Sequence, residues 1–154
     1  MFRTLIVASL RRAWLGFTAT FILGGAAFIL IDGDDPLRSD DPYVVGFATG
    51  AFAAVMGVAY SIAESVCGNR WRTSLAYFAL VGAWTVFFIA ATARANEGAE
   101  MGRFLAIAHA SSAVVCWPLF AFRLPKAAVA AISVAGAAAL AMYAIVAARM
   151  ALDH

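Results

Sequence analysis

Residues 43–66 read YVVGFATGAFAAVMGVAYSIAESV, and this stretch decides the fold. From Tyr43 to Ala63 it runs 21 positions without a charge. A helix crosses about 30 Å of hydrocarbon with about 20 apolar residues, at about 1.5 Å each. The stretch therefore has the length and composition of one membrane span. It also carries Gly46, Gly50, Ala53, Gly57 and Ser61 at spacings of three and four, which lines small residues along one helix face. In lipid, helices associate through close approach at small residues, not by hiding apolar surface from water. The spacing predicts a span that presses one face against a neighbouring helix.

Four more segments of the same kind flank this one. Counting outward, the spans are predicted at roughly 13–31, 43–66, 74–93, 104–122 and 127–148. Between them lie short polar connections: DGDDPLRSDDP at 32–42, CGNRWRT at 67–73, RANEGAEMGR at 94–103 and RLPK at 123–126. Pro125 ends one helix and suits the first turn of the next. The fifth span is mostly alanine, which favours insertion less than Leu, Ile or Phe does. A four-span chain would leave that uncharged segment in water or at the interface, so five spans fit better. The Arg-flanked apolar run at the N-terminus resembles a secretion signal, but it continues through Phe28, Ile29, Leu30 and Ile31 and is long enough to span. Residues 2–12 fit either a short interfacial helix or an extension of the first span. The expected fold is an all-α, polytopic transmembrane helical bundle forming a single domain over 1–154.

Composition agrees. Of the 154 residues, 64% are hydrophobic and 13% are charged, where a soluble domain carries about 25% charged residues. The lipid bilayer is the solvent this chain needs. Orientation follows from Lys and Arg. With the N-terminus in the cytoplasm, Arg3, Arg11, Arg12, Arg70, Arg72, Arg123 and Lys126 fall inside, and Arg38, Arg94, Arg103 and Arg149 fall outside, seven against four. The C-terminus is then periplasmic. The Ala and Arg bias and the compact spans suggest a bacterial inner (plasma) membrane.

Small residues also mark the first span, at Gly16, Thr20 and Gly24, and the fifth, at Ser133, Ala137 and Ala141 beside Gly136. Helix packing is therefore assigned to Gly16, Gly24, Gly46, Gly50, Gly57 and Ser61, with spans one and two as a tight antiparallel pair.

Two intramembrane polar sites stand out. Glu64 is the one acid inside a span, and it follows Gly50 and Gly57 in steps of seven, so it is expected on the small-residue face, buried against another helix. Intramembrane carboxylates are expensive and mark either proton or cation sites or paired structural groups. Here the pairing partner would be Arg12, Arg70, Arg72 or Arg123. In the fourth span, His109, Ser112 and Cys116 recur at i, i+3 and i+7 as one mildly polar face, which could relay protons or bind a ligand. More commonly such a histidine is neutral and bonded to a neighbouring helix. Glu64 and His109 fall in opposite halves of the membrane, which disfavours a direct dyad. Pro118 breaks the hydrogen-bond ladder within the same span.

Several chemistries find no support. Two cysteines and two histidines, never clustered, cannot supply the two to four ligands of a haem, zinc or iron–sulfur site. The aspartates of 32–41 do not follow an EF-hand spacing. No phosphate-binding glycine loop, nucleophile–base arrangement or basic nucleic-acid patch is present. No cofactor, no metal, no nucleic acid and no catalytic residue is expected. These features point to a small non-enzymatic membrane protein with a structural or accessory role, packing as a homo-oligomer or with other membrane subunits. The alternative is a small transporter or channel using Glu64, and a third possibility is a lipid-modifying membrane enzyme. Transport predicts further polar groups facing Glu64, whereas an accessory role predicts Glu64 tied to an arginine.

Overall fold

The computed structural model describes residues 2–32, 41–92 and 99–152. Every element in those ranges is an α-helix: α1 (Phe2–Asp32), α2 (Asp41–Cys67), α3 (Arg70–Thr92), α4 (Ala99–Ala121) and α5 (Lys126–Leu152). Each is long and apolar enough to cross a membrane. The protein is an all-α bundle of five such helices, as the segment pattern requires.

The ends of these helices follow from local chemistry. α2 stops at Gly68, which adopts φ +63° and donates its N–H to the Glu64 carbonyl at 3.0 Å. This left-handed cap strongly favours glycine, because a Cβ there would meet the following carbonyl. The next residue starts α3: the Asn69 side chain accepts from Trp71 N at 2.9 Å, and its carbonyl accepts from Thr73 N at 2.9 Å. The α2–α3 connection is thus a two-residue turn, and α3 begins earlier than the polar run at 67–73 suggests. At the other short connection, the carbonyl of Pro125 accepts from Val129 N at 3.2 Å, so Pro125 sits just before the first turn of α5. α4 continues past Pro118, with Phe122 N bonding the Pro118 carbonyl at 3.1 Å.

Residues 2–12 are the first turns of α1, continuous with the rest, and form no separate helix. With 31 residues, α1 measures about 46 Å at 1.5 Å per residue, longer than the hydrocarbon layer. Its first turns therefore project beyond that layer or the helix tilts. The acidic segment 33–40 and His154 lie outside the described residues.

The centre of the bundle is the α1–α2 pair. The two backbones approach so closely that a Cβ on Gly46 would lie 2.5 Å from the Phe21 carbonyl oxygen, one on Gly50 3.0 Å from that of Phe17, and one on Gly57 2.8 Å from the Arg12 carbonyl carbon. Gly16 faces the Ala53 carbonyl and the Phe120 ring, and Gly24 faces Thr49. α4 lies against both members of the pair, and α3 closes the α2–α4 side. Phe52, Met56, Tyr60, Tyr77, Val81, Cys116 and Phe120 form the core there. On the opposite side α5 leans on α1, where Trp14 Nε1 donates to Ser133 Oγ at 3.0 Å and Gly136 abuts Thr18. Phe21, Tyr43 and Val146 form a smaller core between α1, α2 and α5. α3 buries only Thr73, Ser74, Tyr77 and Val81, and α5 only Gly136 and Val146. Both turn most of their apolar surface outward.

Candidate functional site: an arginine that ties three helices

Glu64 has a partner. Its Oε2 lies 2.7 Å from Nη1 of Arg12, across from α2 to α1. The burial is the reverse of the expectation. The glutamate side chain is 50% exposed and the arginine only 16%. The small face that the heptad count follows does bury Ser61, at 1% exposure. One turn further, near the end of α2, no helix covers Glu64. The arginine bridges that gap because its long apolar stem lies along the helix pair while its head reaches a polar end.

Arg12 does more than balance one charge. Nη1 also donates to Ser61 Oγ at 3.1 Å, Nε donates to the Phe120 carbonyl of α4 at 3.2 Å, and the guanidinium lies 5.0 Å from the centre of the Tyr60 ring. Ser61 in turn donates to the Gly57 carbonyl at 3.1 Å. One cation therefore holds α1, α2 and α4 together at the end of the bundle. The glycine at 57 is what brings the Arg12 backbone close enough for this. The rest of the buried polar inventory nearby is small: Tyr77 Oη donates to the Ala113 carbonyl at 2.9 Å, and the buried Tyr60 hydroxyl has no hydrogen-bond partner among the described residues. Sequence reasoning named Arg12 only among possible partners. Its position in the turn facing Gly57 was the usable signal.

The second polar site does not assemble as one face. His109 is stacked on Phe52 at 4.4 Å between ring centres and 12° between planes, with the Phe88 ring edge-on at 5.7 Å. Its Nδ1 accepts from Trp84 Nε1 at 3.4 Å. Ser112 donates to the His109 carbonyl of its own helix at 2.9 Å, and Cys116 donates to the Gly16 carbonyl of α1 at 3.7 Å. The three residues serve three separate contacts: His109 meets α2 and α3, Ser112 caps its own turn, and Cys116 meets α1. Phe52 and Glu64 are twelve residues apart on α2, so the histidine and the Arg12–Glu64 pair are about 18 Å apart along the helix.

On the side of His109 away from that pair, α1, α2 and α4 diverge around a cavity of about 480 Å³. Thr20, Thr49, Ser111 and Ser112 contribute to its wall, among mostly apolar residues such as Leu23, Phe28 and Ile107. The Thr20 and Thr49 hydroxyls donate to backbone carbonyls at 2.7 Å and 3.0 Å. The wall that remains is chiefly hydrocarbon. Among the described residues no group of three or more His, Cys, Asp or Glu gathers as a metal site would require.

No family model matches this chain, and no curated protein or solved structure is similar to it.

Proposed function

We propose that the chain is a small, non-enzymatic integral protein of a bacterial inner membrane with a structural or accessory role. It has its N-terminus in the cytoplasm and its C-terminus in the periplasm, and it works as a homo-oligomer or beside larger membrane subunits. The observation that carries this reading is the use made of Glu64. A proton carrier needs a carboxylate that is free to exchange partners along a polar path. This one is held at 2.7 Å by an arginine that is itself bound to Ser61 and to the Phe120 carbonyl. The arrangement fastens helices. His109, lodged among Phe52, Trp84 and Phe88, likewise serves packing. Support for an assembly comes from α3 and α5, whose outward faces leave large apolar areas for lipid or for another membrane helix. The excess of Lys and Arg at the end of the bundle that holds Arg12 supports the orientation.

The test is affinity purification from native membranes in mild detergent, followed by identification of stoichiometric subunits and determination of the assembly mass. A homo-oligomer or a defined partner is expected. A monomer with no partner, whose proteoliposomes conduct protons in the parent and not in Glu64→Gln, would overturn the accessory role and put transport in its place.

A further inference from the structure

At the end of the bundle where Arg12 lies, α1 and the C-terminal end of α4 flank a cleft of about 170 Å³. Three arginines line it, Arg11, Arg12 and Arg123, and its apolar lining includes the half-exposed Phe122 and the partly exposed Leu119 beside the buried Leu15 and Phe120. A fourth, Arg70 of α3, stands 5.0 Å from the centre of the Phe122 ring at the same rim. Arg12 spends its charge on Glu64. Arg11 and Arg123 are exposed and have neither a carboxylate nor a hydrogen-bond partner among the described residues. Cations from α1, α3 and the α4–α5 connection thus gather around one concave spot, and of the four only Arg12 has a carboxylate partner among the described residues, although the chain as a whole has a formal net charge of only +2.

We propose that this cleft binds the phosphate of an anionic phospholipid, with one acyl chain lying over Leu119 and Phe122. Guanidinium groups match phosphate oxygens with paired donors, which a diffuse counter-ion does not exploit. Arg123 falls between the end of α4 at Ala121 and the start of α5 at Lys126, where the spans leave the hydrocarbon and headgroups reside. Basic pockets between membrane helices at that depth suit anionic headgroups. The apolar floor favours a lipid over a free phosphate ion, because only the lipid offers hydrocarbon to cover it. The proposal does not depend on the accessory role or on which partner the bundle meets. In the proposed orientation the lipid belongs to the cytoplasmic leaflet.

The full chain, purified in mild detergent, is titrated with phosphatidylglycerol, with phosphatidylcholine and with inorganic phosphate, and bound species are counted by native mass spectrometry. The first phosphatidylglycerol is expected to bind at least about fivefold more tightly than phosphatidylcholine, each phosphate contact contributing a charge-assisted bond. Arg11→Gln with Arg123→Gln brings it to the phosphatidylcholine level. Arg3→Gln with Arg72→Gln, which removes two exposed cations outside the cleft, leaves the preference intact. Should the first double variant prove poorly folded by its melting temperature, Arg11→Lys with Arg123→Lys keeps the charge and removes the paired donors, and an intermediate preference is expected. Retention of full preference in either cleft variant, or equal loss in the Arg3/Arg72 control, would overturn the site. Displacement of phosphatidylglycerol by inorganic phosphate at equal concentration would overturn the lipid as its occupant.

Discussion

Replacing Arg12 by glutamine should damage the protein more than replacing Glu64 by glutamine, although the two residues form one ion pair. From Arg12 the change removes two hydrogen bonds to neutral acceptors, the ion pair at 2.7 Å and the contact with the Tyr60 ring. At about 1 kcal/mol per hydrogen bond, and about 0.5–1 kcal/mol each for a partly exposed ion pair and a cation–π contact, the loss is about 3–4 kcal/mol. From Glu64, half exposed, the change removes only the charge, and the amide oxygen can still accept from Arg12. That loss is about 0.5–1 kcal/mol. In a chain of this size about 1 kcal/mol moves the melting temperature by about 2–4 °C. Arg12→Gln should therefore lower Tm by on the order of 10 °C and Glu64→Gln by about 3 °C or less. The measurement is thermal unfolding in one detergent, extended to the double variant so that the pair's coupling is isolated; the coupling should be about 0.5–1 kcal/mol. A larger loss at Glu64 than at Arg12 would refute the assignment of Arg12 as the tie. A rise in Tm for Glu64→Gln would mean that the carboxylate is an unneutralised burden, as a proton site would be.

Three further outcomes follow from the same geometry. Gly57→Ala should cost about 1–3 kcal/mol by overpacking, since its Cβ would lie 2.8 Å from the Arg12 backbone, whereas Gly82→Ala, with open space around it, should gain roughly 0.5–1 kcal/mol; equal responses in thermal unfolding would show that the α1–α2 approach is looser than it is here. His109→Phe should cost on the order of 1 kcal/mol by stranding Trp84 Nε1, and Trp84→Phe in the same chain should restore most of it; additive losses would mean that the 3.4 Å contact contributes nothing. For orientation, in a chain lacking Cys67, a cysteine replacing Ser39 should react with a membrane-impermeant thiol reagent on intact cells, and one replacing the exposed Arg72 only after permeabilisation, with the reverse pattern inverting the topology. Thr73 is a poor reporter for that test, since it is fully buried, and Cys116 should stay silent until the protein is denatured.

The sequence by itself determines the class, the number of helices and several of their ends. Uncharged runs of about 20 residues admit one structure in lipid, because every backbone polar group must be satisfied within the helix. Gly68 followed by Asn69 encodes a cap and a start within two residues. The glycine spacing likewise marks the face along which α1 and α2 meet, since only residues without bulk allow backbones so close. What the sequence does not determine is the neighbour that each polar side chain finds. In a soluble protein, polarity separates the inner face of a helix from the outer. Here both faces are apolar, and periodicity ranks them weakly. His109, Ser112 and Cys116 share a face by spacing, yet His109 turns toward α2 and α3 while Cys116 meets α1, because α4 sits in the notch between those helices. Glu64 draws attention as the lone acid of a span, yet the less exposed member of its pair is Arg12, a residue that sequence counting places with the polar end of the first helix. Only the tertiary arrangement could decide that, because it depends on how far one helix extends past the end of its neighbour, and no local pattern in either helix records that offset.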